Sequence, residues 1–318
     1  MKRNHNPEAA AEEIKRIARQ LGFLNVGIAP AEAVDDTTRQ QYLHWLRQGY
    51  HATMHYMEKH LDKRFDPHAL VPGARSVICL AYNYYSAAKP TDGRIPRVSI
   101  YAHGRDYHRV LKKKLKRLYA LLRERFPHLE GRYFVDSAPV LERQWAVRAG
   151  LGWQGKNTLV IHPRYGSYVF LAVMITNLEL APDRPMADHC GRCRRCIDAC
   201  PTGAIAPQGY VLDASRCISY LTIELKAEHP IPEEYRHQWS GWIFGCDICQ
   251  EVCPWNRFAR PHDEPDFQPR SPLLFQPVEQ WKQLSQEDFD HHFAGTPLRR
   301  AKYRGIMRNI QFVFDSDH

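Results

Sequence analysis

The stretch Cys190-Gly-Arg-Cys193-Arg-Arg-Cys196-Ile-Asp-Ala-Cys200-Pro201 constrains this chain more than any other. It reads C-x2-C-x2-C-x3-C-P, the ligand run with which bacterial two-cluster ferredoxins hold iron and sulfide. Thiolates suit soft iron centres, and the short spacings let three sulfurs wrap one corner of a cube. In such a run the fourth cysteine serves the other cluster, so a second set is needed. Cys246-x2-Cys249-x3-Cys253-Pro254 repeats the tail of the run, and Cys217 lies between the two sets. The assignment that follows puts Cys190, Cys193, Cys196 and Cys253 on one [4Fe–4S] cluster. Cys200, Cys217, Cys246 and Cys249 hold the other. Zinc sites and disulfides are the competing readings. Zinc knuckles rarely need the C-P ending or eight thiolates in crossed order. A secreted disulfide scaffold is short and carries an export signal. The ninth cysteine, Cys79, sits in an apolar run and reads as a buried thiol.

A length of 318 residues fits two domains with a small third piece. No apolar segment is long enough to span a membrane. The stretch Met1 to Ala11 is polar and lacks an apolar signal core, so the expected location is the cytoplasm. Lys and Arg number 44 against 35 Asp and Glu, a net charge of +9. That balance describes a soluble basic protein, and it also fits a polyanionic partner, with nucleic acid the first candidate.

Apolar spacing predicts a helix over 8–21 with Ile14, Ile17, Ala18 and Leu21 on one face, stopped by Gly22. Phe23–Ala29 reads as a strand, 38–60 as a helix and Ser76–Tyr84 as an apolar strand. Residues 106–126 form an amphipathic helix with the stripe Leu111, Leu115, Leu118 and Leu122. Arg109, Lys112, Lys113, Lys114, Lys116 and Arg117 crowd the rest of it, as a solvated face or a phosphate-contact surface. Arg132–Val135 reads as a strand ending at Asp136. A helix through Ala149 follows, with Ser137 as its cap and Pro139 near its first turn. Thr158–His162 and Tyr168–Asn177 read as a hairpin across Pro163–Gly166. Pro182–Pro185 reads as a linker. The tail beyond 263 is Pro-rich, then weakly helical, with Arg299, Arg300, Lys302, Arg304 and Arg308 as a basic end.

The predicted fold class is α+β. An N-terminal α/β domain over 1–180 precedes a bacterial ferredoxin-like domain with two clusters over 181–262, and 263–318 is a short helical stub. Two clusters behind such a domain suggest an electron wire feeding a reaction centre. No G-x-G-x-x-G follows a strand, no G-x-x-x-x-G-K-[ST] occurs, and the C-x3-C-x2-C run of radical S-adenosylmethionine enzymes is missing.

Several further stretches carry a resemblance. They are Tyr133-Phe-Val-Asp-Ser-Ala-Pro139, Arg148-Ala-Gly-Leu-Gly-Trp153, Gly155-Lys-Asn157 and Tyr165-Gly-Ser-Tyr168. Cys200-Pro-Thr-Gly-Ala204, Arg216-Cys-Ile-Ser219 and Gly245-Cys-Asp-Ile-Cys-Gln250 complete the set. Together they resemble the epoxyqueuosine reductases, cobalamin-dependent iron–sulfur enzymes that finish queuosine synthesis on tRNA. Reductive dehalogenases share the cobalamin-plus-two-cluster plan but usually carry an export signal. The resemblance implies a base-off cobalamin in the N-terminal domain, reduced through the clusters to cob(I)alamin. It further implies attack on the epoxide of epoxyqueuosine at the wobble position and loss of the oxygen as water. Asp136 matches the proton donor. Arg64, Ser99, Asp136, Asn157, Val160, Leu171, Ser219 and Asp247 match positions lining the cobalamin. The implied partners are tRNA carrying epoxyqueuosine and a flavodoxin- or ferredoxin-like electron donor, with no membrane and a monomeric chain. The helical-repeat extension of some family members has no counterpart beyond 263–318.

Asp290-His-His292-Phe-Ala-Gly295 fits D-x-H-x-x-G, a cobalamin-ligating pattern of another enzyme class, but lies in a polar helical tail. His103, His108, His162 and His189 read as surface or packing residues. Two other functions compete: a non-catalytic electron carrier, and a corrinoid reductase of a small molecule. Corrin absorbance separates the first from the enzyme, and the salt dependence of substrate binding separates the second.

Overall fold

The computed structural model describes residues 6–90 and 92–315. The start of the polar Met1–Ala11 stretch and the outer ends of the 1–180 and 263–318 segments lie outside the described residues.

Asn6 opens α1 (Pro7–Gln20) by accepting the N–H groups of Glu8 and Ala9 on its side chain. Strand β1 (Asn25–Pro30) follows, then α2 (Asp36–Arg47) and the short α3 (Leu61–Phe65). Next come β2 (Ser76–Asn83), the two-residue β3 (Arg97–Val98) and α4 (Tyr107–Arg125). Asp106 caps α4, and Leu111, Leu115, Leu118 and Leu122 on its stripe are fully buried. After β4 (Gly131–Phe134) come α5 (Glu142–Arg148), β5 (Trp153–Gln154), β6 (Val160–Ile161) and β7 (Val169–Thr176). The cysteine-bearing part holds α6 (Arg195–Asp198), α7 (Ile218–Ile223), β8 (Trp242–Phe244) and α8 (Ile248–Glu251). Helices α9 (Val278–Lys282), α10 (Gln286–His292) and α11 (Lys302–Phe314) close the described chain.

The main sheet has the order β1-β2-β7-β4, and every pairing in it is antiparallel. Residues two apart share a face, and both faces are covered. Ile78, Leu80 and Tyr82 of β2 join the core under α1 and α4. Val77, Cys79 and Ala81 join the core under α5. Cys79 is thus a buried thiol, as the sequence indicates.

The structure corrects several sequence expectations. The helix expected over 38–60 stops at Arg47, because Gly49 takes a left-handed φ of 68°. The following loop turns to meet α7, where the Tyr220 hydroxyl lies 2.8 Å from the Thr53 hydroxyl. No hairpin joins 158–162 to 168–177. A turn at Gly155–Thr158 folds β6 back onto β5, and β7 instead enters the sheet between β2 and β4. Ser137 caps no helix, because α5 begins at Glu142, after an irregular stretch that buries Val140. The class is α+β, with an antiparallel sheet in place of alternating βα units.

The tail is better packed than its sequence indicates. Trp281, Phe289, Phe293, Leu298, Ile306 and Ile310 form a core with Val98, Ile243 and Phe244. Strand β3, from the N-terminal part, pairs in parallel with β8. Asn309 is fully buried and donates to the carbonyls of Thr222 and Ile243, at 2.9 and 2.8 Å. Most of the basic end is tied inward. Arg299 pairs with Asp290, Arg300 makes a two-pronged pair with Glu224, and Arg308 donates to the carbonyls of Leu221, Leu225, Lys226 and His229.

Candidate active site and iron–sulfur ligands

Cys217 and the seven cysteines of the run and its repeat are all half-buried. Cys190, Cys193, Cys196 and Cys253 line one small cavity, although Cys253 is remote in sequence from the other three. Burial and the neighbouring sulfurs of Cys190, Cys253 and Cys193 push the Cys196 thiol up to about 11. The other sulfurs sense each other too. Burial raises Cys217, with Cys200 adding to it. Burial raises Cys249, with Cys217 and Cys200 adding to it, and raises Cys246, with Cys249 and Cys217 adding to it. Thiols crowded this way are poor acids when empty, and coordination to iron is the chemistry that stabilises them as thiolates. Cys253 is thus brought beside Cys190, Cys193 and Cys196 around one cavity.

Asp136 stands where the chain leaves the sheet. The pair Phe134–Val173 closes the β4·β7 ladder, and Asp136 then takes a left-handed φ of 43°. Its N–H donates to Glu142 Oε1 at 2.7 Å. The Tyr107 hydroxyl donates to its Oδ2 at 2.6 Å, and His108 Nε2 lies 3.9 Å from the same oxygen. Tyr107 is fixed by stacking on Phe170 at 4.3 Å and 7° between planes. The Asp136 side chain is 70% exposed. Burial falls on the neighbouring Glu142 rather than on Asp136. Desolvation and then the Asp136 charge push that carboxyl up to about 8. Arg143 is exposed and donates to the Thr158 carbonyl at 2.8 Å. The Asp136 charge also bears on Tyr56, Tyr101, Tyr107 and Arg300, side chains from several separate stretches.

The other predicted positions distribute as follows. Ser99 Oγ donates to Asp247 Oδ1 at 2.6 Å, both residues are buried, and burial pushes the Asp247 carboxyl up against that bond. Gly245, at φ 68°, permits this approach, since a Cβ there would lie 2.6 Å from Ser99 Cβ. Asn157 is buried, with its amide 3.5 Å from the Cys249 carbonyl. Val160 and Leu171 pack in the core shared by β2 and α5. Arg64 is buried and donates to the carbonyls of Tyr56 and Lys59. Ser219 stands in the first turn of α7 and hydrogen-bonds the Cys217 sulfur. The histidines have partners of their own. His103 bonds the Val98 carbonyl, His108 the Asp106 carboxylate and His162 the Asn25 amide, while His189 packs on Trp153. In the D-x-H-x-x-G stretch, His292 meets the Ser271 hydroxyl and Asp290 pairs with Arg299.

On the basic helix, Arg109, Lys112, Lys113, Lys116 and Arg117 are exposed. Lys114 differs, since it pairs with Glu264 at 2.9 Å and lies over the Tyr82 ring. Sequence reasoning misses Tyr107, Glu142 and Arg143. The only sequence signal for Glu142 and Arg143 is their nearness to Asp136. Tyr107 precedes it by 29 positions and has none.

A crowded cysteine module joined to an α+β domain with an exposed carboxylate loop after β4 is the plan of an iron–sulfur oxidoreductase. Known proteins agree. Residues 64–137 match the family model described as "Epoxyqueuosine reductase QueG, DUF1730", and 189–256 match the "4Fe-4S double cluster binding domain". The epoxyqueuosine reductase of Cellulophaga algicola is 46% identical over 96% of this chain and 98% of its own length. That of Leadbetterella byssophila is 47% identical over 95% and 98%. The chain belongs to the epoxyqueuosine reductase family. Among solved structures, an epoxyqueuosine reductase with an epoxyqueuosine-modified tRNA-Tyr stem loop aligns at TM-score 0.84 and 32% identity, over 95% of this chain and 80% of that one. The Bacillus subtilis enzyme, with a catalytic aspartate loop swung out of the active site, aligns at TM-score 0.85 and 31% identity over the same shares.

Proposed function

We propose that this chain reduces epoxyqueuosine to queuosine at the wobble position of tRNA, the last step of queuosine synthesis. The observation that carries this reading is the Asp136 loop, a water-reachable carboxylate in a left-handed turn, held by Tyr107 and Glu142 just after β4 in a member of this family. A relative of the same fold is described with a tRNA stem loop bearing the substrate, and another with a catalytic aspartate loop. Removing the epoxide oxygen consumes two electrons and two protons, and yields an alkene and water. Asp136 delivers a proton to the departing oxygen. Tyr107 and Glu142 aim it, and the exposure of Asp136 lets water reload it.

Residues 1–180 form the cobalamin-binding and catalytic part, 181–262 hold two [4Fe–4S] clusters, and 263–318 brace them. Arg64, Ser99, Asp136, Asn157, Val160, Leu171, Ser219 and Asp247 would hold the cobalamin. The residues fit such a group. Ser99 and Asn157 are bonded to the Cys246–Cys249 turn, so the wall that would meet the corrin is also the wall of the second cysteine set. When bound, cobalamin supplies a strong two-electron nucleophile, and the iron–sulfur groups supply its electrons one at a time. The chain acts as a cytoplasmic monomer fed by a soluble electron donor.

The test is conversion of tRNA carrying epoxyqueuosine, with a chemical reductant and added cobalamin, read by nucleoside mass spectrometry. Queuosine should appear only with both additions. No queuosine from protein loaded with iron and corrin would overturn the reading.

A further inference from the structure

The reductase reading leaves open where electrons enter, and the outer face of the first cysteine set answers it. An open groove of about 820 Å³ runs over that face between Tyr85 and Tyr168 of the sheet domain and the α6 and α8 region. Arg195, Cys253 and Pro254 line both this groove and the cavity on which the four cysteines converge. The groove is therefore one residue thick from the ligand sulfurs. Cys253 of the first set itself lines the groove, so that set is open to a partner from this face.

The groove's rim has a definite chemistry. Glu251 is already neutralised by Lys89 and Arg97, at 3.0 and 2.8 Å, and Asp198 faces Arg194 at 3.4 Å. Arg195 and Arg257, which line the groove, are exposed and form no ion pair among the described residues. Beside them Phe258 is 39% exposed, one of two large hydrophobic side chains so placed among the described residues, and the Arg257 guanidinium lies 4.5 Å above its ring. Unpaired arginines around an exposed aromatic make a small, transient docking face, with charge to steer and an apolar contact to hold.

We propose that this groove is the docking site of a small acidic one-electron carrier protein, resting on the reductase reading for its purpose. Arg195 and Arg257 meet the acidic surface around the carrier's redox group, and Phe258 packs against its apolar centre. Each productive encounter moves one electron. The carrier is oxidised by one, the iron–sulfur group beside Cys253 is reduced by one, and no atom is transferred. Two encounters supply one turnover.

Reduced flavodoxin, an acidic FMN protein, serves as the probe. Its binding is measured by calorimetry, and reduction of the holoenzyme is followed by loss of iron–sulfur absorbance in stopped flow. Arg257→Glu should lower both the affinity and the second-order reduction rate by on the order of 10-fold at low salt, and flatten their salt dependence. Phe258→Ala should weaken binding and leave the salt dependence unchanged. Iron content, reduction by dithionite and tRNA binding should match the wild type in both variants. Wild-type flavodoxin binding and rate in both variants would overturn the site. Loss of tRNA binding with flavodoxin binding intact would make the face a nucleic-acid surface instead. Failure of the protein to form queuosine with dithionite would sink the reductase reading, while the flavodoxin affinities would still decide the docking site.

Discussion

The Tyr107 hydroxyl sits 2.6 Å from Oδ2 of Asp136, joining the first turn of α4 to the loop that follows β4. An acid that must reach into a cleft from an exposed loop needs such a tether, because each rotamer it is denied is orientation gained. Asp136→Asn keeps the loop and an acceptor for Tyr107 but removes the proton. Turnover should fall on the order of 100- to 10,000-fold with iron and cobalamin content unchanged. Single-turnover nucleoside analysis checks this, and near-wild-type conversion would remove Asp136 from the mechanism.

Tyr107→Phe keeps the ring stack on Phe170 and deletes only the O–H. A hydrogen bond to a charged group contributes about 1.5–3 kcal/mol, so turnover should drop roughly 10-fold or more. If Tyr107 acts through Asp136, the double variant with Asp136→Asn should lose little beyond the Asp136 single variant. Additive losses would show that the two act separately.

Glu142 makes a prediction about pH. Its folded-state affinity for a proton is raised, to about 8 from the ordinary 4.5. The folded protein therefore binds more protons than the unfolded chain between those values, and stability must fall as pH rises through that window. Glu142→Gln stays neutral and can still accept the Asp136 N–H. Its melting temperature should track the wild type near pH 5 and exceed it by pH 9. Parallel curves over that range would show that Glu142 titrates normally.

The crossed cysteine sets predict selective damage. Cys200→Ser should perturb the cluster built on Cys217, Cys246 and Cys249, and Cys253→Ser the one in the Cys190–Cys196 cavity. Wild-type protein should carry about eight irons and eight sulfides per chain. Two distinct paramagnetic signals, lost one at a time, are expected from the pair of variants. Zinc in place of iron would refute the assignment.

The exposed cations of α4 bear on tRNA affinity. Replacing Lys112, Lys113, Lys116 and Arg117 with Gln should weaken tRNA binding and reduce its log–log salt slope by roughly 0.7–0.9 for each phosphate the helix no longer neutralises. Lys114 is left alone because it holds Glu264. An unchanged slope would mark the helix as a solvated face.

What is legible in the sequence is what local chemistry dictates. Thiolates at short spacings are the soft donors that iron–sulfur groups take, so a cluster-binding module over the cysteine run can be read directly. The α4 stripe repeats with the turn of a helix, and all four of its leucines are buried. What is not legible depends on partners far along the chain. Nothing near Val169–Thr176 says that it will lie between β2 and β4, since strand pairing is decided by the whole sheet. The apolar residues of α9, α10 and α11 are too few per helix to form a core, and they make sense only against Val98 and Ile243. Ser137 reads as a cap because its type is right, while the left-handed turn at Asp136 delays the helix to Glu142.

The bonds from Asn309 to the carbonyls of Thr222 and Ile243 have a consequence for biogenesis. During translation all eight cysteines emerge before α11 does. The strand leading into Cys246 and the helix following Cys217 gain these two bonds only when that late helix docks beneath them.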